Sequence, residues 1–160
     1  MSPMDDEAAF MRRAIALSEA AVAKGQAPFG AVVVDAAGRV VGEGHNTVRA
    51  DHDPTAHGEM VALRDAWGRL GERGPLQDCT LYTSCEPCLM CTVVIAQMRL
   101  RRVVFAARGT DVPGAQRLFD ADLAKAAAWI DGRPGWRAVE VEGDVMRDEA
   151  LAVMRLFDWR

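Results

Sequence analysis

His57-Gly58-Glu59 and Pro87-Cys88-Leu89-Met90-Cys91 are the two stretches on which the reading of this chain turns. Together they supply one imidazole and two thiolates, the donor set of a tetrahedral zinc ion, and leave the fourth position to water. Glu59 stands two residues from the histidine, where a carboxylate can move that water's protons. Cys88 and Cys91 are three positions apart, so on a helix they share a face while Leu89 and Met90 turn toward packing. A helix N-terminus favours their thiolate forms. Two thiolates formally cancel the zinc charge and weaken it as a Lewis acid, which raises the importance of a proton acceptor. On a helix His57 and Glu59 point in different directions, so Glu59 can face the water instead of joining the ligands. A hydrolytic metal site is the first expectation.

A lone Cys-x-x-Cys also serves as half of a structural zinc site or as a redox pair. A structural zinc wants a fourth protein ligand, and Cys79 or Cys85 offers one, so spacing alone leaves an all-cysteine knuckle open. Against it, the His-x-Glu cluster would have no task. All four cysteines crowd between positions 79 and 91, whereas a disulfide scaffold spreads them along a short secreted chain.

With 160 residues, 50% hydrophobic and 26% charged, the composition is that of a globular domain, and we expect residues 1–160 to form one. No apolar run reaches the roughly 18 residues of a membrane span. The first residues lack a cationic signal-peptide start, which reads as cytoplasmic. A net charge of −4 with only two lysines, Lys24 and Lys125, advertises no tract for phosphate backbones. Arg99, Arg101 and Arg102 are read as a solvated helix end.

Phe10, Ala14, Leu17 and Ala21 recur at helical spacing, and Gly25 can close that helix. Ala31 to Val34 and Val40 to Val41 flank a turn and predict a hairpin ending near His45-Asn46. Thr47 to Thr55 reads as a loop. Met60, Leu63 and Trp67 place His57 to Leu70 on a helix, Thr80 to Thr83 is a buried strand, and Pro87 suits the first turn of the helix that carries the cysteines. Val103 to Ala107 is a strand, Leu118 to Ile130 a helix, Trp136 to Val141 a last strand and Val145 to Phe157 a terminal helix. Helices alternating with strands after a hairpin predict a three-layer α/β/α sandwich around a mixed five-stranded sheet.

The two clusters resemble the His-x-Glu and Pro-Cys-x-x-Cys signature of the zinc-dependent cytidine deaminase-like superfamily. Pro28-Phe29-Gly30-Ala31, Gly44-His45-Asn46, Asp53-Pro54-Thr55-Ala56-His57-Gly58-Glu59 and Leu81-Tyr82-Thr83-Ser84-Cys85-Glu86-Pro87-Cys88 are similar to its purine and cytosine deaminase branch. The likeness covers about residues 5 to 107. It implies hydrolytic deamination: activated water adds to an amine-bearing ring carbon, Glu59 shuttles protons and ammonia leaves. It also implies that Asn46 hydrogen-bonds the ring or its oxygen, that Phe29 packs on the base and that backbone around Ala56 and Glu86 reads its edge. Asn46 is equally a turn former after a strand, and an aromatic in the place of Phe29 is often core.

Asp-Pro-Thr-Ala-His and Thr-Ser-Cys-Glu-Pro-Cys resemble bacterial guanine deaminases, whereas Gly58 resembles fungal cytosine deaminases. Gln97 stands where guanine deaminases tend to carry tryptophan, and Val93 replaces a common glycine. Those enzymes use an aspartate after the fourth strand, for which Asp120 or Asp122 is the candidate. The closing Phe157-Asp158-Trp159-Arg160 is a candidate lid, with Trp159 toward substrate. The expected substrate is a small free nucleobase or nucleoside, guanine-type purines first and cytosine second. A tRNA adenosine deaminase and a noncatalytic zinc module are the other classes. Relatives are generally dimers, some exchanging their C-terminal segments, so a homodimer is expected, with Gly109 to Gly114 as a candidate swapping hinge.

Overall fold

The computed structural model describes residues 3–71, 76–114, 134 and 138–160. A five-stranded sheet in the order β2-β1-β3-β4-β5 lies at its centre. β1 (Gly30–Val34) pairs antiparallel with β2 (Val40–His45) and with β3 (Thr80–Cys85), whereas β4 (Arg102–Ala107) and β5 (Glu140–Glu142) continue parallel to β3. α1 (Pro3–Ala23) and α5 (Arg147–Met154) cover one face, and α3 (Gly58–Leu70) and α4 (Leu89–Gln97) cover the other. This is the three-layer α/β/α sandwich with a mixed sheet that the alternation of patterns predicts.

Strand periodicity explains the layering. Val32, Val34, Tyr82 and Val104 pack with Met11, Ala14 and Ile15 of α1 and with Ala150 and Val153 of α5. Ala31, Val33, Leu81 and Val103 point the other way, onto Ala62, Leu63 and Ala66 of α3 and Ile95 of α4. Successive side chains alternate across a strand, so strands covered on both faces must be apolar throughout. β1, Gly-Ala-Val-Val-Val, meets that demand and is buried over its whole length. Each such valine or leucine removed from water contributes about 1.5–3 kcal/mol before entropy is counted.

The fit of α3 on the hairpin depends on a missing side chain. A Cβ at Gly42 would stand 2.5 Å from the Ala62 carbonyl oxygen and 2.5 Å from the Ala66 nitrogen. Only glycine lets the helix backbone descend this far onto the strand.

The structure alters five local readings. The segment read as a loop after β2 contains a single helical turn, α2 (Val48–Asp51), closed by His52 in the left-handed region at φ 52°. Four residues are too few to show a helical period. β3 runs on through Ser84 and Cys85, and α5 spans a shorter stretch than Val145 to Phe157. Pro87 precedes α4 instead of opening it, because Cys88 takes the N-cap. The last strand, predicted over Trp136 to Val141, pairs with the sheet over Glu140–Glu142 among the described residues; the predicted helix from Leu118 to Ile130 lies outside them.

Two stability predictions follow the packing. The Thr92 hydroxyl is buried with no hydrogen-bond partner among the described residues, so Thr92→Val should raise the unfolding free energy by about 1 kcal/mol in urea titrations of the zinc-loaded chain. Gly42→Ala should lower it by roughly 1–3 kcal/mol, because both clashing atoms are backbone.

Candidate active site

Two helix N-termini meet at the site. His57 is the N-cap of α3, extended at φ −66° and ψ 156°, and Cys88 is the N-cap of α4, at φ −70° and ψ 172°. An N-cap must leave helical dihedrals so that its side chain can turn back over the free N–H groups. Here a metal donor stands at each place where a serine or aspartate oxygen ordinarily caps, and neither helix has a side-chain cap bond. The positive ends of both dipoles therefore face the same point and favour anionic sulfur. Cys91 follows in the first turn of α4. The cysteine pair is thus a cap and a helical residue, not two residues on one helical face.

The donors fit zinc. Cys88 Sγ lies 3.5 Å from His57 Nδ1 and 3.7 Å from Cys91 Sγ, and Cys91 Sγ lies 3.7 Å from His57 Nδ1. Zn–S bonds near 2.3 Å and Zn–N bonds near 2.0 Å at tetrahedral angles require about 3.8 Å between sulfurs and about 3.5 Å between sulfur and nitrogen. No other histidine, cysteine or acid joins this group among the described residues. Cys79 packs in the core beneath α3, and burial pushes its thiol up to about 11. Cys85 is likewise held protonated by burial. The all-cysteine knuckle therefore has no support, and three protein donors leave one tetrahedral position for a non-protein ligand. A hydrogen bond from the Cys91 thiol, joined by His57, pulls the Cys88 thiol down to about 4. Sharing a proton with Cys88 pushes Cys91 upward.

Glu59 sits in the first turn of α3, 5% exposed. Burial pushes its carboxyl up to about 7. The offset of two residues turns it away from His57, and it stands outside the three-donor group. Its neighbours are the Cys91 thiol, 3.8 Å from Oε2, and the Thr83 hydroxyl, 3.5 Å from Oε1.

A cavity of about 50 Å³ opens over these groups, lined by Phe29, His57, Glu59, Cys85, Glu86 and Cys88. Phe29 and Glu86 form its walls. Asn46 is buried beside it, its Oδ1 accepting from the Val48 N–H at 3.2 Å and its N–H donating to the Phe29 carbonyl at 2.9 Å. It is therefore both the turn former and a neighbour of the pocket wall. At Ala56 the backbone is engaged within its own loop, with the N–H given to Asp53 O and the carbonyl taken by Thr47 N–H. Trp159 does not line the cavity. Its ring packs edge-on against Phe29 at 6.1 Å, and its Nε1 donates to Met154 O at 3.0 Å. Asp120 and Asp122 lie outside the described residues.

Three residues of the site escaped the sequence reading. Thr83 hydrogen-bonds Cys85 O at 2.9 Å while its hydroxyl faces Glu59, the Ser84 Oγ accepts the Gly30 N–H at 3.0 Å, and Cys85 lines the cavity. A Thr-Ser pair ending an apolar buried strand is the signal that could have exposed them. Gly58 has a further role: a Cβ there would stand 2.9 Å from the Phe29 carbonyl oxygen, the same atom that accepts from Asn46.

The family described as the cytidine and deoxycytidylate deaminase zinc-binding region matches residues 4–107. A guanine deaminase of Bacillus subtilis is 47% identical over 103 residues, 64% of this chain and 65% of that one. A tRNA-specific adenosine deaminase of Streptococcus pyogenes is 31% identical over 154 residues, covering 96% of this chain and 91% of that one. The solved guanine deaminase of Nitrosomonas europaea is 28% identical, with a TM-score of 0.74 over 96% of this chain and 83% of that one. For five of the relatives, the Bacillus guanine deaminase among them, the chain spans between 18% and 65% of their length. The donor triad at two converging helix ends, the buried acid beside it and a family match that reaches from α1 through β4 agree: this chain belongs to the zinc-binding cytidine and deoxycytidylate deaminase family.

Proposed function

We propose that this chain, acting as one domain over residues 1–160, hydrolytically deaminates a small free nucleobase or nucleoside, guanine-type purines before cytosine. The observation that carries the proposal is Glu59. A carboxylate 5% exposed, with no cation paired to it among the described residues, costs the fold stability unless it serves a purpose. A noncatalytic zinc module has no use for one beside three metal donors.

In this reading His57, Cys88 and Cys91 hold zinc, which when bound lends the Lewis acidity that activates water near neutral pH. Glu59 takes a proton from the attacking water and delivers it to the departing nitrogen. The ring carbon gains an oxygen, the carbon–nitrogen bond breaks, and one water is consumed for each ammonia released. Phe29 stacks on the base from one wall. Asn46, whose Oδ1 is committed to Val48 N–H, offers its NH2 to a ring oxygen. Backbone around Glu86 reads the base edge from the other wall, with Ala56 supporting the floor. Asp120 remains the candidate contact from the segment after β4.

The net charge of −4 and the likeness to guanine deaminases support a free base over RNA. Gly58, which lets Phe29 approach α3 closely, supports a narrow pocket and keeps cytosine as the alternative. The near full-length likeness to a tRNA-specific adenosine deaminase favours the second reading, deamination of an adenosine in tRNA. A homodimer in the cytoplasm belongs to the same proposal. Leu89 and Val93, one turn apart on α4, are 45% and 44% exposed, an apolar face suited to a second copy.

An ammonia-release screen over guanine, cytosine, adenine and their nucleosides tests the proposal. Turnover of guanine above the others is expected. Turnover confined to tRNA, with affinity falling steeply as salt rises, would replace it with the second reading. Glu59→Gln should reduce ammonia release by at least about a thousandfold with zinc content unchanged; unchanged release would return the noncatalytic module. Deleting residues 158–160 removes the ring packed on Phe29 and should raise KM several-fold while zinc stays stoichiometric. Unchanged kinetics would show that Trp159 has no part in the pocket.

A further inference from the structure

Four charged side chains lie beyond the cavity wall, and the proposed reaction gives them no role. The Asp111 carboxylate accepts three N–H groups: the Arg108 backbone at 2.8 Å and the Arg147 guanidinium through Nε at 2.9 Å and Nη2 at 2.6 Å. The Arg108 guanidinium in turn forks onto Asp144 at 2.7 Å and 2.7 Å. Signs alternate along the chain Arg147, Asp111, Arg108, Asp144, and the Asp144 end returns to Arg147 at 4.0 Å. The inner pair is the sheltered one, with Asp111 at 14% and Arg147 at 33% side-chain exposure against 47% and 50% for Asp144 and Arg108. Bidentate, partly dry pairs of this kind hold geometry better than exposed single contacts.

The ring is attached to the cavity. Gly109, inside the short turn that Asp111 closes, donates its N–H to Glu86 Oε2 at 2.9 Å, and Glu86 N–H donates to Ala107 O at 2.8 Å. Glu86 is one wall of the cavity and precedes Pro87 and the zinc ligand Cys88. On its other side the ring is anchored in strained backbone. Asp144 and Met146, at φ 66° and 56°, are two of the four non-glycine residues with positive φ among the described residues. Such conformations persist only where the surroundings impose them. Arg147 opens α5, and the chain beyond that helix carries Trp159 to the opposite wall, Phe29. One helix therefore braces both walls.

We propose that Asp111 and Arg147 are positioning residues that set the place of Glu86, and with it the gap between the two walls in which the base is held. The base in this statement rests on the function proposed above; the brace itself does not. The test uses the zinc-loaded full chain with Arg147→Gln, Arg147→Lys and, as a control for the loss of an ordinary surface pair, Arg39→Gln. Hydrogen exchange of the Glu86 and Gly109 amides reads the brace directly, and KM against kcat for the preferred base reads its consequence. In Arg147→Gln both amides should exchange faster by at least about tenfold, and KM should rise on the order of tenfold with kcat within about twofold and zinc retained. Arg147→Lys, which keeps the charge and loses the fork, should fall between, and Arg39→Gln should match the parent. Unchanged exchange at the two amides overturns the brace whatever the activity, and so does an equal loss in kcat with KM unmoved. If the parent releases ammonia from no base, the proposed function fails while the exchange result and the affinity for 8-azaguanine still decide the brace.

Discussion

The structure is organised by the demand that three metal donors and one acid be brought to a single point at which backbone N–H groups also converge. His57 and Cys88 satisfy it by standing at the N-caps of α3 and α4. Each helix would otherwise begin with unpaired donors and a positive dipole end with nothing to face. An imidazole at α3 and a thiol at α4 stand where a capping oxygen ordinarily would, with no side-chain cap bond at either helix, so the two helix ends are given over to metal donors.

That convergence depends on the sheet. α3 and α4 lie on the same face, and both begin at the end of the sheet where β3 finishes and β1 starts. The descent of α3 at Gly42, its close start at Gly58 and the Ser84 bond to Gly30 set the depth at which His57 enters. The other face contributes through α5, by way of Asp111 to Glu86 and of Trp159 to Phe29. Chemistry is thus supplied from one layer and the dimensions of the cavity are influenced from the other.

Glu59 shows why a buried acid is tolerated. It meets neutral or weakly polar neighbours, the Thr83 hydroxyl and the Cys91 thiol, with no arginine or lysine paired to it among the described residues. Burial, helped by the nearby Cys88 sulfur, raises its carboxyl to about 7. The eight salt bridges between residues more than three positions apart among the described residues show that cations are available. In the proposed reaction, the acid left unpaired is the one that moves the proton.

Much of this was legible beforehand. His57, Glu59, Cys88 and Cys91 could be read from spacing because donor chemistry and helical offsets are local, and β1 and β3 because strands buried on both sides must be apolar along their length. The one-turn α2, the capping role of Cys88 and the second duty of Asn46 were not legible, since four residues show no period and a cap is defined by what its backbone faces. The hydroxyls of Thr83 and Ser84 had no assigned role until the fold set them beside Glu59 and Gly30. What the sequence by itself determined is the donor set, the acid and the alternation of layers, all properties of neighbouring residues. Only the tertiary structure decided that Cys79 and Cys85 stay thiols outside the donor set, that Trp159 braces Phe29 instead of lining the cavity, and that Arg147 reaches Asp111. Those outcomes depend on burial and on contacts between residues far apart in the chain, and no local pattern records them.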